Sequence, residues 1–236
     1  MSAATGPRRF YETAAVEEGS AGFEVRLDGR LALTPARAPL AYRRKPLAEA
    51  VASEWAAQEE HIVPLSMPLT RLLTTAIDRG ESEGSAWRAE LVRFAGSDLL
   101  CYRAESPAEL VRRQSDVWSS YLTWAEAGHG LRFAVTDGVM AVPQPSATLD
   151  AVAAHAERLE LADVLALKGL AEMSGSYVLA LAVAEKFVAA QDAFAASRLD
   201  ETFQAEQWGV DAEAAAREQA LQADFIALAR FFELDG

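Results

Sequence analysis

The sequence predicts an α+β protein: a small amino-terminal α/β domain with short antiparallel strands, followed by a mainly helical carboxy-terminal domain. Three observations lead there. Apolar and polar residues alternate with period two only before Gly80, helical stripes dominate after it, and Gly80, Gly84 and Ser85 punctuate the change. The expected division is therefore 1–80 and 81–236.

The first strands are read from Phe23-Glu24-Val25-Arg26-Leu27, which alternates, from the hairpin signal Asp28-Gly29, and from Arg30-Leu31-Ala32-Leu33-Thr34, which resumes the alternation. Phe10 to Val16 is a further strand candidate. Strands this short need a packing partner. The next helix supplies one: Pro46 suits its first turn, and it runs through Leu47, Ala50, Val51, Glu54, Trp55 and Gln58 until Pro64 stops it. Trp55, with Val51 one turn before it and Gln58 one turn after, is expected to be structural and to join helix to sheet. The cluster Arg43-Arg44-Lys45 reads as solvated surface. Pro68 opens a second helix with Leu69, Leu72, Leu73 and Ile77 along one side.

Beyond the glycines, helices are expected over Trp87 to Ala95, Pro107 to Ala127, Ala147 to Leu159, Ala162 to Met173, Tyr177 to Phe194, and Asp211 to the end. Asp98 to Arg103 and Leu131 to Val135 look extended and are expected to return to the amino-terminal sheet. In the last helix, Leu221, Phe225, Leu228 and Phe232 form a stripe that marks core packing, and Phe187 and Phe194 are assigned to the core as well.

Composition narrows the functional classes. A formal charge of -13 and 24% charged residues describe a folded acidic protein, and a nucleic-acid backbone or an anionic membrane would repel it at long range. A protein partner fits better. The longest apolar run, Tyr177 to Ala184, is broken by Glu185-Lys186 far short of the roughly 20 residues a bilayer span needs. Arg8-Arg9-Phe10 imitates a twin-arginine export start, but Tyr11-Glu12-Thr13 stands where an apolar run is required, so the amino terminus reads as mature protein.

Chemistry-bearing motifs are few. His61, His129 and His155 are scattered, read as surface or capping residues, and suggest no metal site; Cys101, among apolar neighbours, reads as a buried, inert thiol. There is no phosphate-binding glycine loop and no nucleophile elbow, so no cofactor is expected. The one unusual stretch is Leu199-Asp200-Glu201-Thr202-Phe203-Gln204-Ala205-Glu206-Gln207-Trp208-Gly209. On a helix, Glu201, Ala205 and Trp208 share a face, while Phe203 turns elsewhere, to the core. Gly209 is placed to end that helix in a left-handed cap and Asp211 to start the next. An ordinary helix end accounts for the pattern equally well. A hydrolase or lyase using the Asp200–Glu206 carboxylates is the enzymatic alternative, weakened because Glu201 and Glu206 point in different directions.

Four blocks resemble a known family, the assembly chaperones of the F-type ATP synthase that attend the alpha subunit of the F(1) head in alphaproteobacteria and mitochondria. They are Arg9-Phe10-Tyr11 with Leu27-Asp28-Gly29-Arg30 and Thr34-Pro35; Glu54-Trp55-Ala56-Ala57-Gln58 with Met67-Pro68-Leu69-Thr70; Asp98-Leu99-Leu100-Cys101-Tyr102-Arg103; and Glu201 to Gly209. Their order and spacing run nearly end to end.

The resemblance implies a non-enzymatic protein, monomeric when free, that holds unassembled alpha subunit until it meets beta. It implies a bacterial cytoplasmic member, or a mitochondrial-matrix one if the chain is a processed eukaryotic form. Partner contacts are expected at Glu201, Gln204, Glu206 and Trp208, with Trp55, Phe203 and Gly209 structural.

Overall fold

Strand β2 (Gly22–Leu27) is the centre of the amino-terminal sheet in the computed structural model, which describes residues 6–138 and 140–234. The ends of the expected segments, 1–5 and 235–236, lie outside the described residues. Strand β1 (Ala14–Gly19) pairs antiparallel along one side of β2, and the short strands β3 (Arg30–Leu31) and β4 (Ala41–Tyr42) share the other. The hairpin turn holds both Asp28 (φ 49) and Gly29 (φ 74) in the left-handed region, as the Asp-Gly pair predicts. Two expectations shift here. Phe10 precedes β1 instead of belonging to it, and β3 closes after two residues, where the Ala32 amide donates to Val25 O, the Leu40 amide to Ala32 O and the Val25 amide to Leu40 O.

Helix α1 (Lys45–Ala56) packs on this sheet through Leu47, Ala48, Val51 and Ala52, with Pro46 in its first turn. Its carboxy-terminal end is closed from a distance. The Tyr11 hydroxyl donates to Trp55 O at 2.7 Å, and the Arg9 guanidinium donates to the carbonyls of Ala56 and Gln58, satisfying acceptors that a helix end leaves open. Trp55 is half-buried and meets Tyr11 edge-on, with ring centroids 5.6 Å apart.

A 3-10 turn over Pro64–Ser66 leads into helix α2 (Pro68–Gly96). The described chain divides into two compact units, one reaching to Glu83 together with Glu233 and Leu234, the other Gly84–Phe232, and α2 runs unbroken through the division. The expected linker at Gly80 to Ser85 is thus helix. Gly84 has a packing reason to be glycine, since a Cβ there would overlap the Leu161 side chain.

In the second unit a 3-10 turn (Leu99–Cys101) leads into strand β5 (Tyr102–Arg103), which is joined by helix α3 (Ala108–His129) to strand β6 (Thr136–Asp137). The two strands pair parallel in a sheet of their own. They do not return to the amino-terminal sheet, and 131–135 forms no strand. The geometry explains why: a parallel pair needs a crossover, and α3 is that crossover. Helices α4 (Ser146–Arg158), α5 (Leu161–Ser174), α6 (Tyr177–Ala184) and α7 (Ala190–Ser197) follow, with α6 against α3, α5 and α7 and seven of its eight residues buried. Trp118, Tyr177, Phe194, Phe225 and Phe231 are large buried rings of this unit.

The single helix expected from Tyr177 to Phe194 is two. The chain turns at Lys186 (φ 58), where the amides of Lys186 and Phe187 bond back to Val183 and Ala182 at 3.0 and 2.9 Å. Phe187 is consequently 48% exposed instead of buried, stacked on Trp124 at 4.7 Å. His155 also departs from its surface reading: it is half-buried and its Nδ1 lies 2.8 Å from the hydroxyl of buried Tyr177. Cys101 is buried as expected, its thiol pushed up to about 12 by burial.

Candidate functional site

Helix α8 (Leu199–Trp208) packs on α3 and follows α7. Buried Gln114 donates to Asp200 Oδ1 at 2.7 Å, Phe203 is buried with the Arg113 guanidinium over its ring, and that same guanidinium donates to Glu206 at 2.7 Å. Asp200, Phe203 and Glu206 recur at steps of three, so helical periodicity turns Glu201, Gln204 and Trp208 the other way. All three are exposed, Trp208 at 84%.

Helix α9 (Ala212–Glu233) starts directly beyond, with Asp211 Oδ1 accepting the Glu213 amide at 3.0 Å as an amino-terminal cap. The link between the two helices is Gly209, at φ 88 and ψ 163. That is not the left-handed cap expected there, which requires ψ near zero to sixty; it is an extended conformation at positive φ that only glycine adopts readily. It directs α9 so that the two helices wall a groove of about 610 Å³. Ala205, Trp208, Val210, Ala214 and Leu221 form its apolar surface, and Asp200, Glu201, Asp211 and Glu218 its acidic edge. Val210 is 71% exposed.

Of the residues singled out in the sequence, the structure brings Glu201, Gln204 and Trp208 to this groove, and turns Glu206 and Phe203 toward α3. The three carboxylates of the stretch are separated: Asp200 receives Gln114, Glu201 pairs with Arg198 at 3.1 Å, and Glu206 pairs with Arg113. Among the described residues no group of His, Cys, Asp and Glu could hold a metal ion, and no helix is long and apolar enough to cross a membrane. Sequence reasoning missed Val210, Ala214 and Leu221, which enter the groove only through the turn at Gly209.

The other sequence blocks do different work. Glu54 accepts the amides of Leu69 and Thr70 at the start of α2, at 2.9 and 2.8 Å. Fully buried Asp98 accepts the amides of Leu100 and of Val178 at the start of α6, each at 3.0 Å, and burial pushes its carboxyl up to about 6. Arg103, also buried, donates to the carbonyls of Leu100 and Gln114. These side chains close backbone ends.

The chain is similar to solved structures along nearly its whole length. Atp12 from Paracoccus denitrificans is 37% identical, with 98% of this chain and 99% of that one covered and a TM-score of 0.93. A single-substitution mutant of the same organism's Atp12p matches at 37% identity, covering 97% of each chain, with a TM-score of 0.92. A protein from Agrobacterium tumefaciens is 38% identical over 96% of this chain and 85% of its own, with a TM-score of 0.90. The fold is that of a chaperone family. Residues 8–126 match the ATP12 chaperone protein family, and the chain belongs to that family, a family of ATP synthase assembly chaperones.

Proposed function

We propose that this protein holds the unassembled alpha subunit of F(1) until beta replaces it, and that the outward face of α8 is where the client sits. One observation carries the reading. In three of the four sequence blocks that mark the family, the polar side chains close helix or strand ends, whereas in the fourth Glu201, Gln204 and Trp208 face solvent beside an apolar groove. Residues without a structural task are the ones free to bind. Glu206, engaged by Arg113, braces α8 on α3 and is left outside the contact.

An alpha subunit awaiting its partner exposes an apolar surface of obligate type, and a protein that covers it suppresses self-association by mass action. Release by competition with beta requires only moderate affinity. The setting is the compartment where alpha is assembled, the bacterial cytoplasm or the mitochondrial matrix. The test is aggregation of purified alpha subunit with and without a near-equal molar amount of this chain. Suppression by wild type and its loss with Trp208→Ala are expected; suppression untouched by that change would move the client surface elsewhere, and none at all would refute the client.

A further inference from the structure

We infer that the α8–α9 groove takes a short amphipathic helix of the client that carries an arginine, its apolar side on Trp208 and its guanidinium at Glu201. The inference rests on the chaperone reading above and adds the chemistry of the bound segment.

The mode of binding follows from the walls. Both are helices whose backbone groups are internally bonded, so neither offers a strand edge that an extended peptide could join. A helix laid between two helices is the remaining way to present alternate apolar side chains to such a surface. Size agrees. Helix α8 has 10 residues, a wall about 15 Å long, which matches about three helical turns. The far wall suits close approach at Ala214 and Ala215, which line the groove and place little bulk between helix axes.

The charge of the segment follows from the edge. Asp200, Glu201, Asp211 and Glu218 line the groove against Arg198 and Arg217, and both arginines are already engaged, Arg198 by Glu201 and the Met173 carbonyl, Arg217 by Glu213 at 2.6 Å. The edge is therefore left acidic. Asp200 Oδ1 is already taken by Gln114 on the α3 side, so Glu201 is the carboxylate that faces a visiting cation from α8, and the cation must meet its two oxygens from one position. The planar fork of arginine does this with fixed geometry, and it is more weakly hydrated than an ammonium group and loses less on entering an apolar groove.

The experiment installs a photo-crosslinking amino acid at position 208 of the full chain, co-expressed with alpha subunit, and identifies the joined peptide by mass spectrometry. A helix-forming segment with an arginine within one turn of the crosslink is expected. Glu201→Arg is then combined with Arg→Glu at that client position: each change alone should weaken the complex at least about tenfold, and together they should recover most of the loss. Glu172→Gln on α5 removes the same charge from an exposed ion pair outside the groove and should change nothing. Crosslinks to an extended or acidic segment, no crosslink in a complex that nevertheless forms, or the absence of rescue would each overturn the inference while leaving the chaperone reading intact. Failure of alpha to bind wild type would remove both.

Discussion

The Glu54 carboxylate accepts the Thr70 amide at 2.8 Å and the Thr70 hydroxyl at 2.7 Å, so the last turn of α1 caps the first turn of α2 across the Pro64 turn. A carboxylate at a helix start satisfies open amides and complements the dipole at once. Glu54→Ala should therefore cost about 2 kcal/mol, and Glu54→Gln about half of that, because the amide keeps one acceptor but loses the charge. For a chain of this size the alanine variant should melt about 4–8 °C lower by circular dichroism. A melting curve that overlays wild type would mean water replaces the carboxylate without loss.

What was legible in the sequence was what local rules govern. Helix α1, with Pro46 in its first turn, and the core positions Phe225 and Phe232 of α9 follow from periodicity and turn chemistry, which act over a few residues. The β5–β6 pair was hidden because it joins residues separated by all of α3. Gly84 read as a break because glycine costs about 1 kcal/mol in a helix interior, a local rule overruled by the space Leu161 needs. At the site, the shared face of Glu201, Ala205 and Trp208 was legible for the same periodic reason. The tethers Gln114 and Arg113 were not, and they decide which face of α8 stays free.

Trp55 should be less costly to truncate than a fully enclosed indole. It is half-buried, its ring contact is with Tyr11, and its Nε1 is buried with no hydrogen-bond partner among the described residues. Trp55→Ala is expected to cost about 2 kcal/mol, below the roughly 3–5 kcal/mol of complete burial. Trp55→Phe removes the unpaired donor with the smaller loss of area, so it should stay within about 1 kcal/mol of wild type. Denaturant titration of both variants measures this, and a phenylalanine variant as weak as the alanine one would show that the indole nitrogen is satisfied in solution.

Asp98 should make stability depend on pH in the mildly acidic range. Burial raises its carboxyl to about 6 in the folded chain, above the value near 3.8 of an unperturbed aspartate, so the folded state holds that proton more tightly. The resulting contribution is fully present below the lower value and is lost as pH rises through the upper one, a change of about 3 kcal/mol. Asp98→Asn cannot ionise. Its deficit relative to wild type should therefore be largest near pH 4 and shrink toward pH 7, read from denaturant midpoints at each pH. A deficit that grows with pH would mean that the amides of Leu100 and Val178 favour the carboxylate more than burial disfavours it.

Glu201→Gln should separate stability from function. The side chain is exposed and its partner in the fold is Arg198, three residues earlier at 3.1 Å, a surface pair worth only a few tenths of a kcal/mol. Arg198 also keeps its bond to the Met173 carbonyl when Glu201 is neutralised, so α8 should stay where Gln114 and Arg113 hold it. The thermal midpoint is accordingly expected within about 2 °C of wild type. Assembly of active F(1) in a strain lacking the native copy should nonetheless fall, because a carboxylate facing a client arginine in an apolar groove is worth far more than one facing water. An early-melting variant would make Glu201 an anchor of the fold. A stable variant that restores ATP synthase activity in full would take the residue out of the client surface and leave the groove to Trp208 and its apolar neighbours.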